Sequence, residues 1–236
     1  WGAMGYHMAS FATPSLFTAM NELSNHDHSR FLTRTNKKVG RMNTLGPEAA
    51  NEGVDKAVMR EAVLIQMTWP GAPTVYYGDE AGVCGFTDPD NRRTYPWGRE
   101  DQEMIAYHRA VIRMHKENRE FRTGSIKWML SDYNVIGYAR FTQENHSAIL
   151  INNNDYEVTK EVSVWELGIP REAQMTRLML TDREGFHTEP VIYPVNAGKV
   201  TVTLPPASGI VLQHKDPVQE KRSKAKTEQK NFLHFM

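Results

Sequence analysis

A histidine and an aspartate stand side by side after a short apolar segment near the start of the chain. Leu23 leads into Asn25-His26-Asp27. If the segment is a strand of a parallel sheet, its end carries an imidazole and a carboxylate to the rim where strand–helix loops form reactive sites. Ser24 or Asp27 would serve equally well as a helix cap, because both side chains accept backbone N–H groups. Local chemistry alone favours the helix cap over a reactive site, so the choice between these two roles depends on the surrounding elements.

The elements that follow predict a strand–helix–strand unit. A helix is expected from Asn51, a suitable N-cap, to the breaker Pro70-Gly71. Residues 72–77 are β-branched and aromatic and predict a buried strand that ends at Asp79-Glu80. Two strands around one helix predict a parallel pair, so both strand ends face the same rim. The helix positions expected to pack on the sheet are Val54, Val58, Ala62, Ile65 and Trp69.

The sequence changes character after a second helix. A polar, turn-rich loop over residues 81–98 precedes a helix over 99–118, whose predicted apolar stripe is Met104, Tyr107, Val111 and Met114. Short strands with turn signals then predict an antiparallel β-sandwich. Three regions result: 1–122, 123–215 as the sandwich, and a charged tail expected to be disordered at 216–236. The predicted sandwich strands are 126–130, 135–141, 148–152, 158–164, 175–180, 191–193, 200–204 and 210–213.

The composition argues against several classes of protein. Across 236 residues, 28 Lys+Arg balance 28 Asp+Glu, so no basic excess indicates a nucleic-acid partner. The single cysteine, Cys84, has no partner for an internal disulfide. No apolar run reaches the length of a transmembrane helix, so no membrane partner and a cytoplasmic location are expected. The chain begins with Trp1, and we expect that it starts inside a longer protein.

Three motifs in this order resemble the α-amylase family of glycoside hydrolases. Asn25-His26-Asp27 with Arg30-Phe31-Leu32-Thr33 resembles one short family motif, and residues 73–82 resemble the eighth barrel strand and its loop. The segment 88–92 followed by Pro96-Trp97 is similar to the branch of neopullulanases, cyclomaltodextrinases and maltogenic amylases. The resemblance implies an α/β part followed by an all-β part: the last βα units, strands 7 and 8, of a (β/α)₈ TIM barrel, and then the antiparallel sandwich.

The resemblance also implies roles for individual residues. In this family one Asp attacks the sugar, one Glu protonates the leaving oxygen, and a third Asp stabilises the oxocarbenium-like transition state, which gives retention. Asp27 matches the third carboxylate. The positions that match sugar-binding residues are Asn25, His26, Asp88, Arg92 and Trp97. No cofactor is expected and His26 and His28 are a weak metal signal, although the resemblance leaves open a calcium site in a preceding part.

The motif that would supply the nucleophile is absent from the sequence. No Gly-x-Arg-x-Asp pattern occurs, and no Glu stands in the expected proton-donor context. We therefore expect the parent protein to be a retaining hydrolase of α-1,4 glucosidic bonds, with α-1,6 bonds left open, and this chain alone to be inactive. Expected partners are α-glucan oligosaccharides such as maltodextrins or cyclodextrins; a homodimer of the full-length protein stays open. The alternatives are a transglycosylase of the same family, a non-catalytic relative or partner subunit, and a carbohydrate-binding sandwich.

Overall fold

The computed structural model describes residues 2–38 and 41–216. The predicted tail lies outside the described residues, except for its first position, Asp216. The helices are α1 (Gly2–Ala9), α2 (Thr13–Thr18), α3 (Phe31–Arg34), α4 (Met42–Leu45), α5 (Lys56–Thr68), α6 (Gln102–Glu117) and α7 (Arg119–Thr123). Short 3₁₀ helices cover Pro47–Ala50, Asp79–Ala81, Asp90–Arg92 and Trp165–Leu167. The strands are β1 (Met20–Glu22), β2 (Ala72–Thr74), β3 (Ser125–Asp132), β4 (Val135–Phe141), β5 (Asn145–Asn152), β6 (Val158–Ser163), β7 (Ala173–Asp182), β8 (Gly185–His187), β9 (Ile192–Asn196), β10 (Lys199–Leu204) and β11 (Ser208–Lys215).

The predicted parallel strand pair is present. Strand β1 pairs with β2 in parallel, with Met20 opposite Ala72 and Glu22 opposite Thr74, and α5 lies between them in sequence. Both strands are three residues long. The second strand ends earlier than predicted, since residues 75–77 continue without ladder pairing and turn toward a buried arginine. The two strand ends therefore face one rim, as the sequence indicated.

Helix α5 begins at a different cap from the predicted one. Asn51 ends a 3₁₀ helix, and Gly53 with a positive φ of 66° interrupts the chain after it. The N-cap is Asp55, whose carboxylate accepts the N–H groups of Ala57 and Val58. An aspartate at that position satisfies two orphan donors. The same hydrogen bonds, with Arg183, hold the pKa of Asp55 below its usual value despite the opposing effect of its partial burial.

Part of the predicted apolar stripe lies on the less buried side of α5. Val58 and Ile65 are only half-buried, whereas Met59, Val63 and Leu64 are fully buried between α6 and the large sheet. Ala62, Ile65 and Trp69 instead border an apolar groove of about 580 Å³ whose other wall is α1, α2 and β1. Helix α6 follows the prediction closely, with Asp101 as its N-cap and its four stripe residues all buried.

Within the described residues, the second part of the chain forms one antiparallel sheet. Its strand order is β3-β4-β5-β11-β7-β9-β10-β6, with β8 paired to β7. The two ends of that order come into contact, and Lys160 Nζ lies 2.5 Å from Asp132 Oδ2, so the sheet nearly closes on itself. The antiparallel strands are confirmed, but their hydrogen bonds follow one path instead of two separate sheets.

The sheet has two buried faces. Along β5 and β11 the residues alternate, because successive side chains of a strand point to opposite faces. Leu150 and Leu212 lie in the core enclosed by the sheet, whereas Ile149 and Val211 join the core formed with the helices. Buried Arg140 strengthens the junction by donating to the carbonyl oxygen of Thr68 at 2.6 Å. No helix in residues 2–38 and 41–216 is long and apolar enough to cross a membrane.

A single glycine on β11 sets how closely α5 approaches the sheet. A Cβ on Gly209 would lie 2.7 Å from Leu64 Cδ2 and 2.8 Å from Ile151 Cδ1. We expect Gly209→Ala to lower the free energy of unfolding by about 1–3 kcal/mol through overpacking, measured by urea denaturation. Gly5→Ala is the control, because its Cβ would meet nothing closer than 4.0 Å. Equal midpoints for wild type and Gly209→Ala would contradict the close contact.

Candidate active-site rim

The loop after β1 is shaped by Asn25. Its Oδ1 accepts the N–H groups of Asp27 at 2.9 Å and His28 at 3.0 Å, and its Nδ2 donates to Glu22 Oε1 at 2.7 Å. This Asx turn fixes the backbone that carries the neighbouring side chains. Asn25 was expected to bind sugar directly; the structure shows its amide engaged within the loop, and sugar binding by Asn25 stays a prediction.

Asp27 has an exposed carboxylate on this loop. The side chains of His26 and Asp27 are 63% and 68% exposed, and His26 Nε2 lies 3.5 Å from Asp27 Oδ1. Asp27 does not cap the next helix: Ser24 Oγ accepts the N–H of Phe31, the first residue of α3, at 2.9 Å. The helix-cap alternative therefore applies to Ser24, which leaves the Asp27 carboxylate available to a ligand.

Asn91 brings the second predicted segment against this loop. Its buried amide donates to the carbonyl oxygens of Asn25 at 3.1 Å and His28 at 2.7 Å. Residues 88–92, one short 3₁₀ turn, are thereby held beside residues 25–28. Asp88 Oδ1 and Arg92 Nε are 2.5 Å apart and both side chains are about half exposed. Two of the predicted sugar-binding residues thus form an ion pair on a segment anchored to the Asp27 loop.

Arg30 connects the loop after β1 to the segment after β2 and to residues 88–92. The side chain is fully buried; Nε donates to the carbonyl oxygen of Asn91 at 2.8 Å, and Nη1 donates to Tyr77 O at 2.6 Å and Asp79 Oδ1 at 2.9 Å. Its guanidinium also lies 4.0 Å from the ring centroid of Tyr76 and 4.8 Å from that of Tyr77. The remaining guanidinium nitrogen, Nη2, finds no hydrogen-bond partner among the described residues. The aromatic rings provide a favourable contact for the cation instead.

Burial disfavours the charged form of Asp79, the ion-pair partner of Arg30. Burial raises the pKa of Asp79, while hydrogen bonds from Ser24 and Arg30 oppose the rise. Both donors favour the charged form of Asp79, because a carboxylate out of water is costly when unpaired. Glu80 accepts the N–H of Gly78 at 2.9 Å. Asp79 and Glu80 thus both make hydrogen bonds within the protein just after β2.

Trp97 lies on a separate turn of the long loop. It is 80% exposed and its ring lies 4.5 Å from that of Tyr95, measured between centroids. A flat, exposed aromatic face is suited to stacking, although none of the described contacts joins Trp97 to Asp27. Cys84 is buried, and burial raises the pKa of its thiol, which disfavours the reactive thiolate.

Sequence inspection missed the residues that hold the rim together. Arg30, Asp79 and Asn91 are buried, and each contacts another segment of the chain. The one available signal was charge within apolar surroundings, since Arg30 precedes Phe31-Leu32 and Asp79 follows a strand. Among residues 2–38 and 41–216, no group of three or more His, Cys, Asp or Glu side chains is placed to hold a metal ion.

The arrangement can bind a polyhydroxylated ring. The Asp27 carboxylate accepts hydrogen bonds and favours positive charge, His26 can donate or accept, and Arg92 offers a planar donor fork. Asp27 is the only carboxylate that the Asx loop presents to the rim, and Asp88 is paired with Arg92. A double displacement needs a nucleophilic carboxylate and a general acid in addition to Asp27.

Comparison with known proteins identifies a family to which the chain is similar. The family model described as "Alpha amylase, catalytic domain" matches residues 6–164. The chain is 30% identical over 213 residues to the amylopullulanase of Thermoanaerobacter thermohydrosulfuricus, which covers 86% of this chain and 14% of that protein. It is 29% identical over 196 residues to neopullulanase 2 of Thermoactinomyces vulgaris, covering 81% of this chain and 28% of the relative.

A solved structure shares the fold as well. The debranching enzyme of Nostoc punctiforme superimposes with a TM-score of 0.66 at 25% identity, over 89% of this chain and 38% of that one. The chain thus spans well under half the length of each of these relatives. The match of the family model to two thirds of the chain, together with these relatives, shows that the protein belongs to the α-amylase family.

Proposed function

We propose that this chain is the C-terminal portion of a retaining α-glucan hydrolase, with strands β1 and β2 as the seventh and eighth strands of a (β/α)₈ barrel and the large sheet as its closing sandwich. The parent protein would hydrolyse α-1,4 and α-1,6 glucosidic bonds. The observation that carries the proposal is the anchored loop: Asn25 and Asn91 fix the backbone around Asp27 while its carboxylate stays open to solvent. A rim built in this way presents a preorganised acceptor to a bound sugar.

In the proposed reaction Asp27 acts without forming a covalent bond. As the glycosidic bond breaks, positive charge develops at the anomeric carbon and ring oxygen, and the carboxylate of Asp27 stabilises the distorted ring that carries this charge. His26 holds hydroxyl groups of the same ring, and Asp88 with Arg92 contacts a neighbouring sugar. The attacking carboxylate and the general acid would come from earlier barrel strands of the parent protein.

The substrate class rests on the relatives and the family motifs. The matched proteins carry the names amylopullulanase and neopullulanase, and another relative, 30% identical over 155 residues, is a cyclomaltodextrinase from a Bacillus species. Maltodextrins, cyclodextrins and pullulan are therefore the proposed ligands. Transfer to a sugar hydroxyl in place of water uses the same glycosyl-enzyme intermediate and is part of the same proposal.

Asp27→Asn is expected to weaken binding of acarbose far more than binding of maltotetraose. Acarbose carries an amine where maltotetraose has a glycosidic oxygen, so only acarbose places positive charge beside the carboxylate. We expect about tenfold weaker acarbose binding, equivalent to ~1.4 kcal/mol, and less than threefold for maltotetraose, by isothermal titration calorimetry. Glu184→Gln, an exposed carboxyl on the β7–β8 turn, is the control. Equal losses for both ligands would remove the electrostatic role of Asp27.

The purified chain by itself is expected to release no reducing sugar. Incubation with maltotriose, pullulan or β-cyclodextrin should match the buffer blank, because the sequence lacks the Gly-x-Arg-x-Asp pattern of the nucleophile. Product analysis by anion-exchange chromatography checks this, with neopullulanase as a positive control. Turnover that Asp27→Asn abolishes would show that the chain holds a complete set of catalytic groups, which would end the proposal of a shared active site.

A further inference from the structure

A second concave surface lies away from the rim, where the helices meet the turns of the large sheet. We call it the tyrosine groove; it has a volume of about 950 Å³. One wall is formed by the segment after α3 and the start of α5, and the other by the β3–β4 turn, the β5–β6 loop and the β7–β8 turn. The residues used below are Lys37, Asp55, Tyr133, Asn134, Tyr156 and Arg183. Its volume is within the range of ligand-binding clefts.

Two tyrosines give the groove flat apolar faces. Tyr133 is 74% exposed and Tyr156 is 52% exposed. Exposed tyrosines leave a large amphipathic area in water, and such residues recur at binding sites because they contribute contact area with few rotatable bonds. Their rings can cover the C–H faces of a pyranose while their hydroxyls remain free to hydrogen-bond.

The backbones that carry the two tyrosines are fixed to each other. The amide of Asn154 donates to the carbonyl oxygen of Tyr133 at 3.2 Å and to Asn152 Oδ1 at 2.9 Å. The amide of Asn152 in turn donates to the carbonyl oxygen of Tyr156 at 2.9 Å. Both asparagines are buried. The turn and the loop therefore form one hydrogen-bonded unit, and a preorganised site loses less entropy when a ligand binds.

Both walls also supply polar groups, and one ion pair joins the two walls. Arg183 Nη1 lies 3.0 Å from Asp55 Oδ2, and Asp55 is itself held by the first turn of α5. Lys37 and Asn134 add donors and an amide acceptor at the edges. Planar guanidinium, amide and carboxylate groups match pairs of adjacent hydroxyls. Aromatic faces beside such polar groups fit a sugar better than an apolar ligand or a nucleic acid.

We propose that the tyrosine groove binds an α-glucan chain at a site separate from the rim. The identity of the sugar rests on the proposed function, whereas the existence of the site rests on the groove itself. Since the groove spans helices and sheet, it would hold a long glucan on the same molecule that acts on it, and raise the effective concentration of glucan at the rim. Short oligosaccharides would gain nothing from it.

The test is calorimetric titration of the whole chain with maltoheptaose. We expect Tyr133→Ala/Tyr156→Ala to weaken groove binding at least tenfold, and Tyr133→Phe/Tyr156→Phe to stay within threefold of wild type because the rings remain. Trp165→Ala, a half-exposed aromatic on the 3₁₀ helix between β6 and β7, is the matched control and should bind as wild type. All four tyrosine substitutions replace exposed side chains, and thermal melts verify that the variants fold.

The outcomes separate the groove from the rim. Wild-type affinity in the double alanine variant, no binding of maltoheptaose by the wild-type chain, or equal affinity for the β-linked cellohexaose would each overturn the groove proposal. If Asp27→Asn weakened the binding of acarbose and maltotetraose equally while groove binding was unchanged, the proposed function alone would be overturned. A tenfold loss in Tyr133→Ala/Tyr156→Ala, while Asp27→Asn keeps maltoheptaose binding, supports two independent glucan sites.

Discussion

Replacing Arg30 with methionine is expected to cost about 3–5 kcal/mol of unfolding free energy, the loss seen when one partner of a buried ion pair is removed. The substitution leaves the Asp79 carboxylate buried without its guanidinium and removes the hydrogen bonds to Tyr77 and Asn91. Urea denaturation followed by circular dichroism measures the change. Because Arg30 joins the segments that carry Asp27 and Arg92, glucan binding at the rim should fall with stability.

Two further variants show whether the cost comes from the unpaired carboxylate. Arg30→Met/Asp79→Asn should recover part of the loss, because the amide is cheaper to bury than a carboxylate. Arg99→Met, an exposed arginine that precedes α6, should change stability by less than about 0.5 kcal/mol. If Arg30→Met unfolded at the wild-type urea concentration, Arg30 would have no part in organising the rim.

A buried glutamate is expected to make the protein less stable as the pH rises. Burial within α5, with a smaller contribution from Asp55, raises the pKa of Glu61 to about 9. Among residues 2–38 and 41–216, its Oε1 finds no hydrogen-bond partner. A carboxyl whose folded pKa exceeds its unfolded pKa binds more protons in the folded state, so unfolding free energy falls between pH ~4.5 and ~9. By pH 7 the loss is on the order of 3 kcal/mol.

Glu61→Gln should remove most of this pH dependence. The amide keeps the size of the side chain and carries no charge, so the variant should match wild type near pH 4.5 and exceed it at pH 8. Melting temperatures across that range, with reversible unfolding checked at each pH, measure the difference. Glu117→Gln, an exposed carboxyl near the end of α6, is the control and should change little. Parallel curves for wild type and Glu61→Gln would show that Glu61 is solvated.

The large sheet was largely predictable because its strands alternate and turn residues separate them. All eight predicted strands are present, and only β8, three residues beginning with a glycine, was not foreseen. Alternation also explains the limit of the prediction. It shows which residues share a face, but whether one sheet curves round or two sheets stack depends on contacts between strands far apart in sequence, such as β3 and β6.

The helical part was harder to predict from local patterns. The apolar period of α5 indicated one buried face, yet the helix is covered on several sides, and Met59 and Val63 lie deeper than Val58. Its start was misplaced because Asn51 and Asp55 are both good caps, and only the backbone at Gly53 distinguishes them.

At the candidate rim too, local patterns predicted some residues and missed others. His26 and Asp27 were identified from a local motif, and the structure leaves both exposed on a fixed loop. The anchoring role of Arg30 was not predictable from that motif, because the groups it binds lie 47 to 61 residues further along the chain. Local sequence thus indicates which groups face a ligand, whereas the groups that hold them in place emerge only from tertiary contacts.

The position of β11 has a consequence for the order in which this protein can be made. Strand β11 is the last strand in the described part of the chain, yet it lies between β5 and β7 in the sheet. During synthesis the ribosome releases β3, β4 and β5 well before the strand that connects them to the rest. Until residue 215 has emerged, two incomplete half-sheets expose unpaired edges, which other chains can pair with. Translation speed over the last strand should therefore influence how much of the protein reaches its folded state.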